Sequence, residues 1–149
     1  MRHPIRALAL GVALAAMPAC ASLQLGETRL ENPAAAARTP DQRAYALLHA
    51  YAAIVEEAAD IVRDPAAPLS LKRALGQAER AATPAVETLQ IAVTGYMRAR
   101  ADYDAATSAD QPVLERAASA LTIAANRLSE AIAAADRPIA ELEALVRRR

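Results

Sequence analysis

Cys20 is the one thiol in 149 residues, and His3 and His49 are the two imidazoles. Nucleophilic, acid–base or metal chemistry would have to start from these side chains, so their neighbours decide what they can do. His49 has Glu56 and Asp60 two and three turns further along one helical face. A catalytic zinc takes three protein ligands in converging geometry, commonly rich in histidine. One imidazole above two carboxylates on a solvent face reads instead as a surface group. Glu56-Glu57, Asp102 with Asp104 and Glu141 with Glu143 are paired acids of the kind hydrolases use. Such pairs become catalytic when burial or charge pairing drives their pKa values apart. Their placement at helix surfaces or near a turn predicts ordinary solvated charge. Ser22, Ser70, Ser108, Ser119 and Ser129 have no glycine-rich elbow and no histidine close in sequence. A phosphate-binding glycine loop is also missing from the sequence. The residue types therefore predict no enzyme, no metal and no cofactor.

The elements that must carry these residues are helical. The apolar fraction is 54%, but 42 of those residues are alanine, and Phe and Trp are absent. Alanine is the strongest helix former, whereas strands favour the β-branched and aromatic residues that are scarce here. An all-β fold is excluded, and a parallel α/β fold is disfavoured. Seventeen basic and seventeen acidic residues cancel, which argues against nucleic acid as a partner. The length allows one domain.

Residues 1–20 read as an address. Arg2 and Arg6 precede the uncharged apolar run Ala7–Ala16, too short for the roughly 20 residues that span a bilayer. A basic start, a short apolar stretch and small residues after it make the pattern of a secretory signal peptide. Met17-Pro18-Ala19-Cys20 resembles the lipobox of bacterial lipoproteins, with Met17 where leucine is usual. That resemblance, confined to about twenty residues, implies diacylglycerol on the Cys20 thiol, cleavage just before it and acylation of the new amine. Ala19-Cys20-Ala21 also fits an A-x-A site, which would release a soluble chain starting at Ser22. A lone cysteine in an exported chain has no internal disulfide to make, and lipidation gives that thiol a use. Three acyl chains exceed what stable membrane attachment needs. Ala21 in place of Asp resembles lipoproteins sorted to the outer membrane rather than kept at the inner one. The expectation is a signal peptide over 1–19, a lipidated tether over 20–38 and a helical bundle over 39–149 facing the periplasm.

Three helices are predicted, at about 40–64, 69–106 and 111–147. Thr39-Pro40-Asp41-Gln42 has a capping residue, a proline suited to the first helical position and a capping box. Leu47, Tyr51, Ile54, Ala58 and Ile61 then recur at steps of 4 and 3, with Leu48, Val55 and Val62 widening the stripe. The second helix keeps this step from Leu71 to Tyr96 and passes Thr83-Pro84 in phase. A kink is expected at Pro84, with a break into four helices as the alternative. Asp110 is the expected cap of the third helix, whose stripe runs from Leu114 through Leu121 to Val146 past Pro138. Short turns make this an all-α, antiparallel up-down-up bundle with long, kinked second and third helices.

The helices are unequal. At 1.5 Å per residue the first spans roughly 37 Å and the others about 55 Å. One end of the long pair, from Tyr96 round the turn to Leu121, therefore lacks a third helix and points back toward the tether. Tyr96, Arg98, Arg100, Tyr103, Leu114 and Leu121 are the candidate partner surface there, since tyrosine and arginine are enriched at interface hot spots. The functional expectation is an anchored protein-interaction or spacer module, with a protein partner or self-association. The alternative is a small-molecule or lipid-binding bundle, its cavity opened by Pro84 and Pro138 and lined by alanines. Arg147-Arg148-Arg149 complements the negative end of the third helix, or meets anionic phosphates.

Overall fold

The computed structural model describes residue 37 and residues 39–148. The expected signal peptide, Cys20 and nearly all of the expected tether, as well as Arg149, lie outside the described residues. Three helices make up the fold: α1 (Pro40–Arg63), α2 (Leu69–Ala106) and α3 (Gln111–Val146). No strand occurs among the described residues.

Helix starts follow proline more than side-chain capping. Pro40 and Pro112 occupy first-turn positions of α1 and α3, where a missing amide costs nothing. Thr39 and Asp110 have the extended backbone of a cap, yet neither side chain bonds the first-turn amides. The expected side-chain caps are thus absent. Backbone bonds close these turns instead, from the Arg43 amide to the Thr39 carbonyl and from the Val113 amide to the Asp110 carbonyl. At the α1–α2 turn, Asp64 ends α1 in extended conformation ahead of Pro65. Its side chain accepts from the Ala66 amide at 2.9 Å, and its carbonyl accepts from Lys72 Nζ at 2.6 Å.

Both internal prolines lie inside continuous helices, so the described residues form three helices, with no break at Thr83-Pro84. Pro84 takes away the amide that the Arg80 carbonyl would bond, and Pro138 does the same to Ala134. On either side of Pro84, Thr83 Oγ1 donates to the Glu79 carbonyl and Thr88 Oγ1 to the Pro84 carbonyl, one turn back in each case, at 2.9 and 2.8 Å.

Cross-helix contacts fix the directions. Arg43, near the start of α1, pairs with Asp136 of α3, and Ile61, near its end, shares a hollow with Arg148. Helices α1 and α3 are therefore parallel, and α2 is antiparallel to both. Tyr51 bonds Thr83 of α2 at 3.1 Å. The Thr83 proton is already given to Glu79, so the Tyr51 phenol is the donor. One core joins Leu47, Ile54 and Ile61 to Leu75, Leu89, Leu128, Ile132 and Leu142. It contains no buried polar residue among the described residues. Leu48 and Val55 pack against its edge, while Val62 is exposed.

Candidate functional site

His49, Glu56 and Glu57 are exposed on α1, and Asp60 is held by Arg63 one turn on, at 3.1 Å. No cluster of three or more metal-ligating side chains exists among the described residues. Asp102 and Asp104 are exposed near the α2–α3 turn. Glu141 accepts from Arg137 at 2.8 Å, and Glu143 pairs with Arg147. The hydrogen bond from Arg137 to Glu141, backed by the carboxylate charge, holds the Arg137 guanidinium protonated beyond its ordinary range. Arg148 lies beside Ile61, Asp64 and Leu71 at the α1–α2 turn, the end of the bundle away from the overhang.

The overhang is where the geometry departs from a closed bundle. Thr39 and Pro40 abut Ser129 and Ile132, so α1 begins partway along α3. Everything from about Val93 round to Ala125 extends beyond it. Tyr96 and Tyr103 are half-buried there, as are Leu114 and Leu121, and Arg98 and Arg100 are exposed.

An open groove of about 660 Å³ runs between α2 and α3 at the root of this overhang. Its floor is small: Ala92 and Gly95 from α2, Ala120, Ala124 and Ala131 from α3. Its walls are Ile91 and Ile123, 74% and 51% exposed. At 100° per residue these positions fall on the side of the α2–α3 seam opposite Thr83 and Asp136, which α1 covers. The groove therefore lies on the outer face of the pair. Arg127 and Glu130 also line it.

Of the six residues expected to form a partner surface, Tyr96 lines the groove and the other five do not. Leu114 and Leu121 belong to the α2–α3 seam, and the arginines lie nearer the turn. Sequence reasoning missed Ile91 and Ile123. They sit two places off the 4/3 stripe, and an isoleucine off the stripe on an otherwise alanine-faced helix was the available signal.

The charge pattern deepens the contrast. Residues 88–97 of α2 and 117–126 of α3 contain no charged side chain. These stretches are uncharged on every face, including the face turned to solvent. Yet no helix among the described residues is long and apolar enough to cross a membrane. The fold and this surface define an all-α three-helix bundle with one uncovered apolar face. Comparison with protein-family models, with curated proteins and with solved structures returns no match, so function must be argued from this chain's own residues.

Proposed function

We propose that the chain is a non-enzymatic envelope lipoprotein, anchored through Cys20, whose α2–α3 pair engages a protein partner or spaces a complex. The exposed groove between Ile91 and Ile123 carries this reading. Large aliphatic side chains left in water beside small ones form a surface that gains free energy when covered, at roughly 25 cal/mol per Å² of apolar area. The lipobox-like Met17-Pro18-Ala19-Cys20 supports the anchor, and Ala21 supports the outer membrane as its destination.

The anchor is tested by Cys20→Ser, which should move the protein from the membrane to the soluble fraction and remove the acyl mass. A wild-type chain already soluble and starting at Ser22 would contradict anchorage. The interaction is tested by a photo-crosslinking residue placed at Ile123 in living cells, against the same residue at Glu57, exposed on α1. The reading expects a protein adduct from position 123 alone.

A second reading also has an observation behind it. The groove volume lies within the roughly 300–1,000 Å³ of small-molecule sites, and its lining is largely apolar. It would then hold a lipid or small molecule. Pro84 and Pro138, the expected openers of such a cavity, are not among its lining residues. A ligand that survives native mass spectrometry and is lost in Ile123→Asp would favour this reading over the first.

A further inference from the structure

We infer that the face opposite α1 is self-complementary, and that its occupant is a second copy of this chain packed antiparallel along α3. The inference rests on reading that face as an interaction surface and names the partner.

From Arg116 the outer face of α3 steps by 4 and 3 to Glu141, and every residue on those steps is exposed. These eight positions form one face, separate from the core-facing stripe: Ala120, Ile123 and Ala134 are apolar, and Arg116, Arg127, Glu130, Arg137 and Glu141 are charged. Closed pairs of identical chains use a twofold axis, so residue i of one copy meets j of the other and j meets i. An axis crossing α3 midway between Leu128 and Ser129 sorts the whole stripe. It sets Arg127 against Glu130 of the second copy, and Ile123 against Ala134. It also sets Arg116 against Glu141, and Ala120 against Arg137. The one large apolar side chain, Ile123, meets a small residue, both acids meet arginines, and no like charges meet.

The local contacts leave these groups available. Neither Arg116, Arg127 nor Glu130 belongs to an ion pair among the described residues. Arg116 bonds the Pro112 carbonyl through Nε, which leaves its terminal nitrogens. Glu141 accepts from Arg137 through Oε1, which leaves its second oxygen. The groove supplies the room: Ile123 stands on its wall and Ala134 at its edge, so the second copy's Ile123 enters the space above Ala134. The uncharged stretch 117–126 then lies against the other chain instead of water.

Charge reversal separates this arrangement from a merely sticky surface. The full mature protein, purified in mild detergent, should sediment as a dimer. Arg127→Glu or Glu130→Arg alone sets like charges together at two symmetric places and should weaken the dimer by about tenfold or more. The double variant R127E/E130R restores opposite charges and should restore the dimer, while Ile123→Asp should abolish it. Helicity of each variant, read by circular dichroism, should match wild type because all three positions are exposed. A wild-type monomer, or a double variant no better than the single ones, overturns the inference. If Ile123 then still crosslinks in cells to a different protein, the interaction reading stands without self-pairing. If it crosslinks to nothing, both fail.

Discussion

The α2–α3 pair is built twice over from the same materials, once beneath α1 and once beyond it. Beneath α1 the seam buries Leu75, Val86, Leu89 and Val93 against Leu128, Ile132 and Leu142. Beyond it, from residue 94 to residue 127, Ala106 alone is buried, and Tyr96, Tyr103, Leu114 and Leu121 are half-buried. The stripe of apolar residues does not change its step between the two regions. What changes is the number of helices around it. Two helices leave both edges of their seam open to water, whereas a third closes one edge and turns a line of contact into a core. In an alanine-rich pair each turn offers only one or two large side chains, so the closing helix decides whether they are buried.

The largest expected effects test this difference directly. Leu128→Ala removes a fully buried side chain from the three-helix region, and should cost about 2–5 kcal/mol of unfolding free energy. Leu121→Ala, the equivalent change in the two-helix region, should cost about 1 kcal/mol. Urea unfolding of the two variants measures both, and equal losses would break the comparison.

A smaller effect is expected where α1 is stitched to α2. Tyr51→Phe removes the phenol proton from Thr83, which keeps its bond to Glu79. The loss should be about 1 kcal/mol, read from the same urea curves. A loss of zero would mean that apolar packing and the Arg43–Asp136 pair position α1 without this bond.

The smallest change has the opposite sign. A Cβ on Gly95 meets nothing within 4 Å, so Gly95→Ala should stabilise α2 by about 0.5–1 kcal/mol through helix propensity. It would also fill part of the groove floor. The prediction is a gain in thermal stability together with weaker association; a gain in both would show that the groove is not the contact.

Much of the architecture could be read from spacing. The 4/3 step from Leu47 to Ile61, from Leu71 to Tyr96 and from Leu114 to Val146 is a direct image of three inward-facing stripes, buried beneath α1 and half-buried beyond it. The unbroken phase through Thr83-Pro84 foretold one helix, because a new helix would rarely resume the old register. The unequal lengths, and hence the overhang, followed from the turns at Pro65 and Pro112. Capping was less legible. Thr39 and Asp110 are suitable residue types in suitable backbone, but a cap also needs a particular rotamer, which spacing does not specify. The groove was the least legible feature. Alanine lies on every face of these helices, so Ala92, Ala120 and Ala124 gave no sign of being a floor. That role depends on which neighbours stand taller, and Ile91 with Ile123 supply the height only once α2 and α3 are aligned. His49, Glu56 and Asp60 are exposed along α1, as surface groups.

Amide hydrogen exchange on the full mature chain tests the central claim most directly, because it reports the two regions in one experiment. In dilute protein, peptides from 70–90 and 128–146 should exchange only through global unfolding, and peptides from 96–121 through easier local opening. As the concentration rises, protection should appear along α3 from about residue 116, where the second copy covers it. Protection that is uniform along α2 and α3 and indifferent to concentration would contradict the account.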